Sequence, residues 1–94
     1  MPALLIRHKV ADYAAWKPVF DEHGTNRAAN GSQGGRVFQN STNPNEVLIL
    51  LEWDDLDRAD LFVRSDDLSE AMVLAGVIDR PDIWTLKEVD RPAF

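Results

Sequence analysis

The stretch Glu46–Trp53, EVLILLEW, decides how this chain folds. It holds five consecutive aliphatic residues, Val47 to Leu51. A strand wet on one side alternates apolar and polar residues, and this one does not, so both of its faces need cover. A helix is the rival reading. The stretch is short, is β-branched at Val47 and Ile49, and follows the turn-rich Asn40-Ser-Thr-Asn-Pro-Asn45, all of which favour a central strand.

Upstream, Arg36 to Ser41 reads as a shorter, more polar strand. A turn through Asn43-Pro44-Asn45 returns it into the central strand as an antiparallel hairpin. Before it, Asn30 to Gly35 reads as a loop whose glycines permit positive φ. The first strand is Ala3 to Val10, ALLIRHKV, apolar on both faces over Ala3 to Ile6. Asp12 can cap a helix running from about Tyr13 to about Arg27, with a kink expected at Pro18. One face of that helix carries Tyr13, Trp16, Phe20, His23 and Arg27, a single stripe at helical spacing that begins aromatic and ends polar.

Downstream, Asp54-Asp55 opens a helix from about Leu56 to Arg64 that is expected to bury Leu56, Ala59, Phe62 and Val63. Ser65-Asp66-Asp67 caps a second helix, Leu68 to Ala75, burying Leu68, Ala71, Met72 and Ala75. Gly76 is placed to end it in the left-handed conformation. The last strand is Ile83 to Val89, followed by a tail without a pattern.

The order strand, helix, strand, strand, helix pair, strand is an α+β, ferredoxin-like βαββαβ arrangement. It implies a four-stranded antiparallel sheet of order 4-1-3-2, with the two most apolar strands in the middle. Right-handed crossovers put every helix on one face. The apolar residues on the other face then need a second copy of the chain, sheet against sheet, since burial returns about 25 cal/mol per Å².

Composition narrows the function. The 94 residues make one domain, spanning 1–94, with 45% hydrophobic and 28% charged residues. A chain of this size buries only about 60–65% of its unfolded surface, a reason for small domains to pair. The net charge of −6, with no Lys/Arg cluster, argues against nucleic acid as a partner. With no cysteine there is no thiolate chemistry, disulfide or zinc ribbon. Met-Pro-Ala-Leu-Leu-Ile-Arg lacks the basic start of a signal peptide, and no apolar run approaches the roughly 20 residues of a membrane span. The cytoplasm is the expected location.

Several segments carry a resemblance: Asp12-Tyr-Ala-Ala-Trp-Lys-Pro-Val-Phe-Asp-Glu-His23 with Arg27, Gly34-Gly-Arg-Val-Phe38, Asn43-Pro-Asn-Glu46, Glu52-Trp-Asp-Asp55, and Glu70-Ala-Met with Ala75-Gly-Val77 ahead of Pro81. In these the chain resembles the dimeric α+β barrel superfamily, which includes the antibiotic biosynthesis monooxygenase-like proteins. It is most similar to a group of small bacterial cyclase-like proteins within it. The resemblance implies a homodimeric barrel with sites between helices and sheet. It leaves the activity open, because that fold hosts several chemistries and also members with no assigned one.

His23 is the first candidate for chemistry, able to move a proton near neutral pH, with Arg27 one turn on to hold a carboxylate, enolate or phenolate. The alternative is a helix stripe emerging into water. His8 shares a face with Ile6 and Val10; a strand-end histidine is more often near the surface, and that reading is preferred over one in which it faces His23 across a cavity. Tyr13, Trp16, Phe20, Trp53, Phe38 and Trp84 could wall a pocket for a small aromatic ligand, although such aromatics more often fill a core. Two histidines and no cysteine give no metal-ligand spacing, and no cofactor is implied. Asp54-Asp55 and Asp66-Asp67 are explained by helix capping. The glycine-rich loop precedes a strand and not a helix, so it is not a phosphate loop. Haem degradation in the resembled superfamily pairs a helix histidine with a first-strand asparagine, which this first strand lacks.

Two functions from different classes therefore stand. One is a homodimeric small-molecule-binding barrel acting as a cofactor-independent monooxygenase- or cyclase-like enzyme on an aromatic or polyketide-like compound. The other is a non-catalytic ligand-binding or structural dimer. A cavity reaching His23 and Arg27 favours the first; the same space filled by Trp16 and Phe20 favours the second.

Overall fold

A computed structural model describes residues 1–94. Its elements are β1 (Pro2–Lys9), α1 (Tyr13–Glu22), α2 (Gly24–Ala29), β2 (Ser32–Asn40), β3 (Asn43–Trp53), α3 (Leu56–Val63), α4 (Asp66–Leu74) and β4 (Asp82–Lys87). The sheet is antiparallel, in the order β2-β3-β1-β4. This is the expected 4-1-3-2 order read from the other edge. The two most apolar strands occupy the centre because only there are both strand edges paired and both faces available for burial.

Register sorts the side chains into two faces. Leu4, Ile6 and His8 of β1 lie opposite Leu51, Ile49 and Val47 of β3, and all six are buried beneath the helices. Trp16, Ala59, Phe62, Leu68 and Ala75 close this core from above. The opposite, helix-free face carries Leu5, Leu48 and Leu50 at its centre, flanked by Phe38 and Arg36 on β2 and by Trp84 and Leu86 on β4.

Local chemistry explains most boundaries. Asp12, Asp55 and Ser65 cap α1, α3 and α4 by accepting backbone N–H bonds. Gly76 ends α4 at φ +83°. The chain leaving it is tied to the end of β1 by Ala11 N–H to Gly76 O at 2.9 Å and Ile78 N–H to Lys9 O at 2.9 Å. Asn45 anchors the start of α1, its Oδ1 accepting the Tyr13 N–H at 3.1 Å.

Several boundaries differ from the sequence reading. The first helix breaks at His23 and not at Pro18. Proline loses one backbone bond but fits inside α1, whereas Gly24 is a poor helix former and lets the chain turn into α2. β2 starts at Ser32, so most of the expected loop is strand, bulged between Ser32 and Gly34. The hairpin turns at Ser41-Thr42, where the Asn40 side chain accepts the Thr42 N–H at 2.9 Å; Asn43-Pro44-Asn45 already belongs to β3. β4 ends at Lys87, and Val89 lies exposed beyond it. Leu56 is exposed at the first turn of α3, leaving Ala59 and Phe62 as that helix's buried residues.

Gly31 stands where a side chain does not fit. Gly31 has φ +117°, its carbonyl accepts the Asp54 N–H at 3.0 Å, and an added Cβ would press on the Asp54 carboxylate and lie 2.8 Å from Trp53 Nε1. Gly31→Ala should destabilise the fold by about 2–4 kcal/mol through strain and overpacking. Urea unfolding tests this, and a loss below about 0.5 kcal/mol would show that the turn readily rearranges.

Candidate functional site

The cavity between helices and sheet is floored by Ile49 and Leu51 of β3, bounded by Phe62 of α3, and completed by four further elements. β1 contributes His8 and Ile6, α1 contributes Trp16 and Phe20, the α1–α2 corner contributes His23 and Arg27, and α4 supplies Leu68, Ala71 and Met72. The Val10–Val77 bridge ties the chain leaving α4 to the end of β1. His8 is only 2% exposed, against the preference for a surface position. Alternation along β1 places it beside Ile6 on the helix-covered face, and Trp16 lies edge-on to it with centroids 5.8 Å apart.

Two polar atoms have no hydrogen-bond partner: His8 Nδ1 and His23 Nε2. Both residues line the same cavity. Buried polar groups are nearly always paired, so two orphaned imidazole nitrogens in one cavity are unusual for a purely structural core. Burial lowers the pKa of His8, outweighing the attraction of Asp79. Burial also lowers that of His23, and the Arg27 cation pushes it the same way. Both imidazoles are therefore neutral at pH 7, the form that can accept a proton.

Arg27 lies flat on Phe20, its guanidinium carbon 3.7 Å from the ring centroid, and donates to the Phe20 carbonyl at 2.7 Å. It forms no ion pair with any carboxylate of the chain. Burial lowers its pKa below the ordinary guanidinium value, against the opposing charge of Asp21, and it remains a cation at neutral pH.

The structure thus brings together His8, His23, Arg27, Trp16 and Phe20. It separates the other aromatics from them. Tyr13 stacks at a tilt on Trp16, 5.6 Å away, and lies outside the cavity lining. Trp53 is fully buried against Phe62, its indole N–H donating to Asn30 O at 3.0 Å, and serves the core. Phe38 and Trp84 point to the helix-free face, each 46% exposed, because their register partners are Leu48 and Leu5. They cannot contribute to a pocket on the other side of the sheet. The α4 wall was read from the sequence only as core, and its spacing carries no further signal.

The cavity measures about 40 Å³, room for a water-sized group. No cluster of three His, Asp or Glu side chains has metal-holding geometry. No helix is long and apolar enough to cross a membrane.

The chain matches no protein-family profile and no curated protein by sequence. By structure it is similar to an antibiotic biosynthesis monooxygenase, with TM-score 0.71 and 14% identity, covering 96% of this chain and 100% of the other. A candidate antibiotic biosynthesis monooxygenase from Bordetella bronchiseptica aligns at TM-score 0.77 and 16% identity over 94% and 96% of the two chains. A candidate monooxygenase from Lactobacillus acidophilus aligns at 0.67 and 22% identity; this chain is covered over 92%, but only 43% of that longer chain is matched. The fold is that of the antibiotic biosynthesis monooxygenase-like proteins.

Proposed function

We propose that this chain forms a homodimeric, small-molecule-binding barrel that transfers protons on an aromatic or polyketide-like compound, with His23 and His8 entering as proton acceptors and Arg27 holding the developing oxyanion. The pair of buried, unpartnered imidazole nitrogens on two residues that line one cavity carries this reading. Removing a proton from a carbon beside a carbonyl leaves an enolate, which a neighbouring guanidinium stabilises. Monooxygenase-like and cyclase-like reactions can both begin from that enolate, which either meets dioxygen or attacks a second carbonyl in the same molecule. The fold-level likeness to proteins described as monooxygenases is consistent with the proposal.

Pairing rests on the helix-free face. Leu5, Leu48, Leu50, Phe38, Trp84 and Leu86 form an apolar field there with no cover from this chain, bordered by Arg36 and by Arg7 paired with Glu46 and Asp82. The Lactobacillus acidophilus neighbour, with less than half its length matched, is long enough to hold two such units in one chain.

The second reading, a ligand-binding dimer without turnover, is favoured by one observation: the cavity is small because Trp16 and Phe20 stack into it, with centroids 4.8 Å apart. Deuterium exchange at the carbon next to the carbonyl of 2-tetralone in D₂O separates the two. The enzyme reading expects exchange faster than in buffer, falling about 10²-fold or more in His23→Gln. Equal exchange by wild type and His23→Gln leaves only the binding protein.

A further inference from the structure

A second space opens beside the first. It measures about 220 Å³ and runs between the α1–α2 corner and β2, with Phe20, Arg27, Ala28, Ser32, Gly35 and Val37 among its lining. Phe20, Arg27 and Leu51 line both spaces, so they form the wall between them. The two volumes suit different parts of one molecule. An apolar cavity of about 150 Å³ takes up a benzene ring, so the groove has room for an aromatic body, while the inner cavity admits only a substituent the size of an oxygen.

We propose that this groove is a binding subsite for a flat aromatic carboxylate, its acid group on Arg27 and its ring against Val37, Leu51 and the edge of Phe20, next to the His8–His23 cavity. The inference deepens the acid–base reading and rests on it for the position of the reacting end.

Three features carry the chemistry. Arg27 is a half-buried cation with no carboxylate partner, and a guanidinium in that state gains most from an anion that can accept two parallel N–H bonds. No Asp or Glu lines the groove, and Arg36 stands on its lining as a second cation, which offsets the nearby Asp21 charge that acts on Arg27. The floor is low because of small residues. Gly35 tolerates no side chain, since a Cβ would collide with the Leu50 carbonyl, and Gly24 leaves room for the guanidinium, where a Cβ would lie 3.3 Å from Arg27 Nη2. The apolar members Phe20, Val37 and Leu51 then offer a ring its contacts.

Calorimetric titration with 2-naphthoate and 2-naphthamide at neutral pH tests the subsite. Wild type should bind the acid at least about 10-fold more tightly than the amide, one charge-assisted contact being worth 1.5–3 kcal/mol. Arg27→Met should weaken the acid about 10-fold and leave the amide within about threefold. Ala28→Phe, at an exposed helix position where folding should survive, should block both ligands by filling the groove. Absence of saturable binding to wild type, equal binding of acid and amide, or an acid preference that survives Arg27→Met each overturns the subsite. Failure of the acid–base reading appears differently, as tetralone exchange indifferent to His23 while the naphthoate results hold.

Discussion

Leu50→Lys is expected to convert a dimer into a folded monomer. At micromolar concentration the wild-type chain should sediment at twice its 10.6 kDa mass and the variant at that mass. Leu50 sits at the centre of the helix-free face, between Leu5 of β1 and Arg36 of β2. In a two-fold interface each copy would bury one lysine, and an unpaired buried cation costs several kcal/mol. Dimer affinity should therefore fall by about 10³-fold or more, each 1.4 kcal/mol being a factor of ten. If the monomer were the native state, the same change would place a charge on a wet surface, leaving mass unchanged and solubility improved. A wild type that sediments as a monomer ends the pairing proposal. The result also reaches the arrangement of Phe38 and Trp84, whose exposure in the single chain is explained only if something covers them.

His8→Leu is expected to raise stability and remove proton transfer together. The imidazole is buried with Nδ1 unpaired, a desolvation cost of about 1–3 kcal/mol that an aliphatic side chain avoids. Loss of the base should lower exchange about 10²–10⁴-fold. The pH dependence follows from the direction of the shift. The folded pKa of His8 lies below its ordinary value of 6.5, and so does that of His23. As pH falls below about 6.5 the unfolded chain takes up protons that the folded chain still refuses, so stability is full above that pH and declines below it, until the folded pKa is reached. Glu46, whose pKa is lowered by bonds from Asn40 and Arg7, adds acid sensitivity only below its ordinary 4.5. Melting temperature should therefore drop between pH 7 and 5 in wild type and drop less in His8→Leu. A variant less stable than wild type at pH 7, with the same acid slope, would mean that His8 is a well-satisfied core residue.

The strand order, the central place of β1 and β3, the three helix caps and the left-handed Gly76 were legible in the chain itself. Each depends on residues within a few positions of one another: unbroken apolar runs, an Asp or Ser ahead of an amphipathic stripe, a glycine where φ turns positive. Alternation even placed His8 beside Ile6. Burial, pairing across strands and cavity shape are long-range quantities, and these the sequence did not supply. That His8 is dry depends on α1 laying Trp16 against it across the sheet face. That Phe38 and Trp84 leave the site depends on register with Leu48 and Leu5, because a strand's period of two says which residues share a face and not which face the helices take. The break at His23 was masked by Pro18, the stronger local signal. The groove beside Arg27 arises only where α2 meets β2 across a glycine bulge, a meeting that no local pattern records.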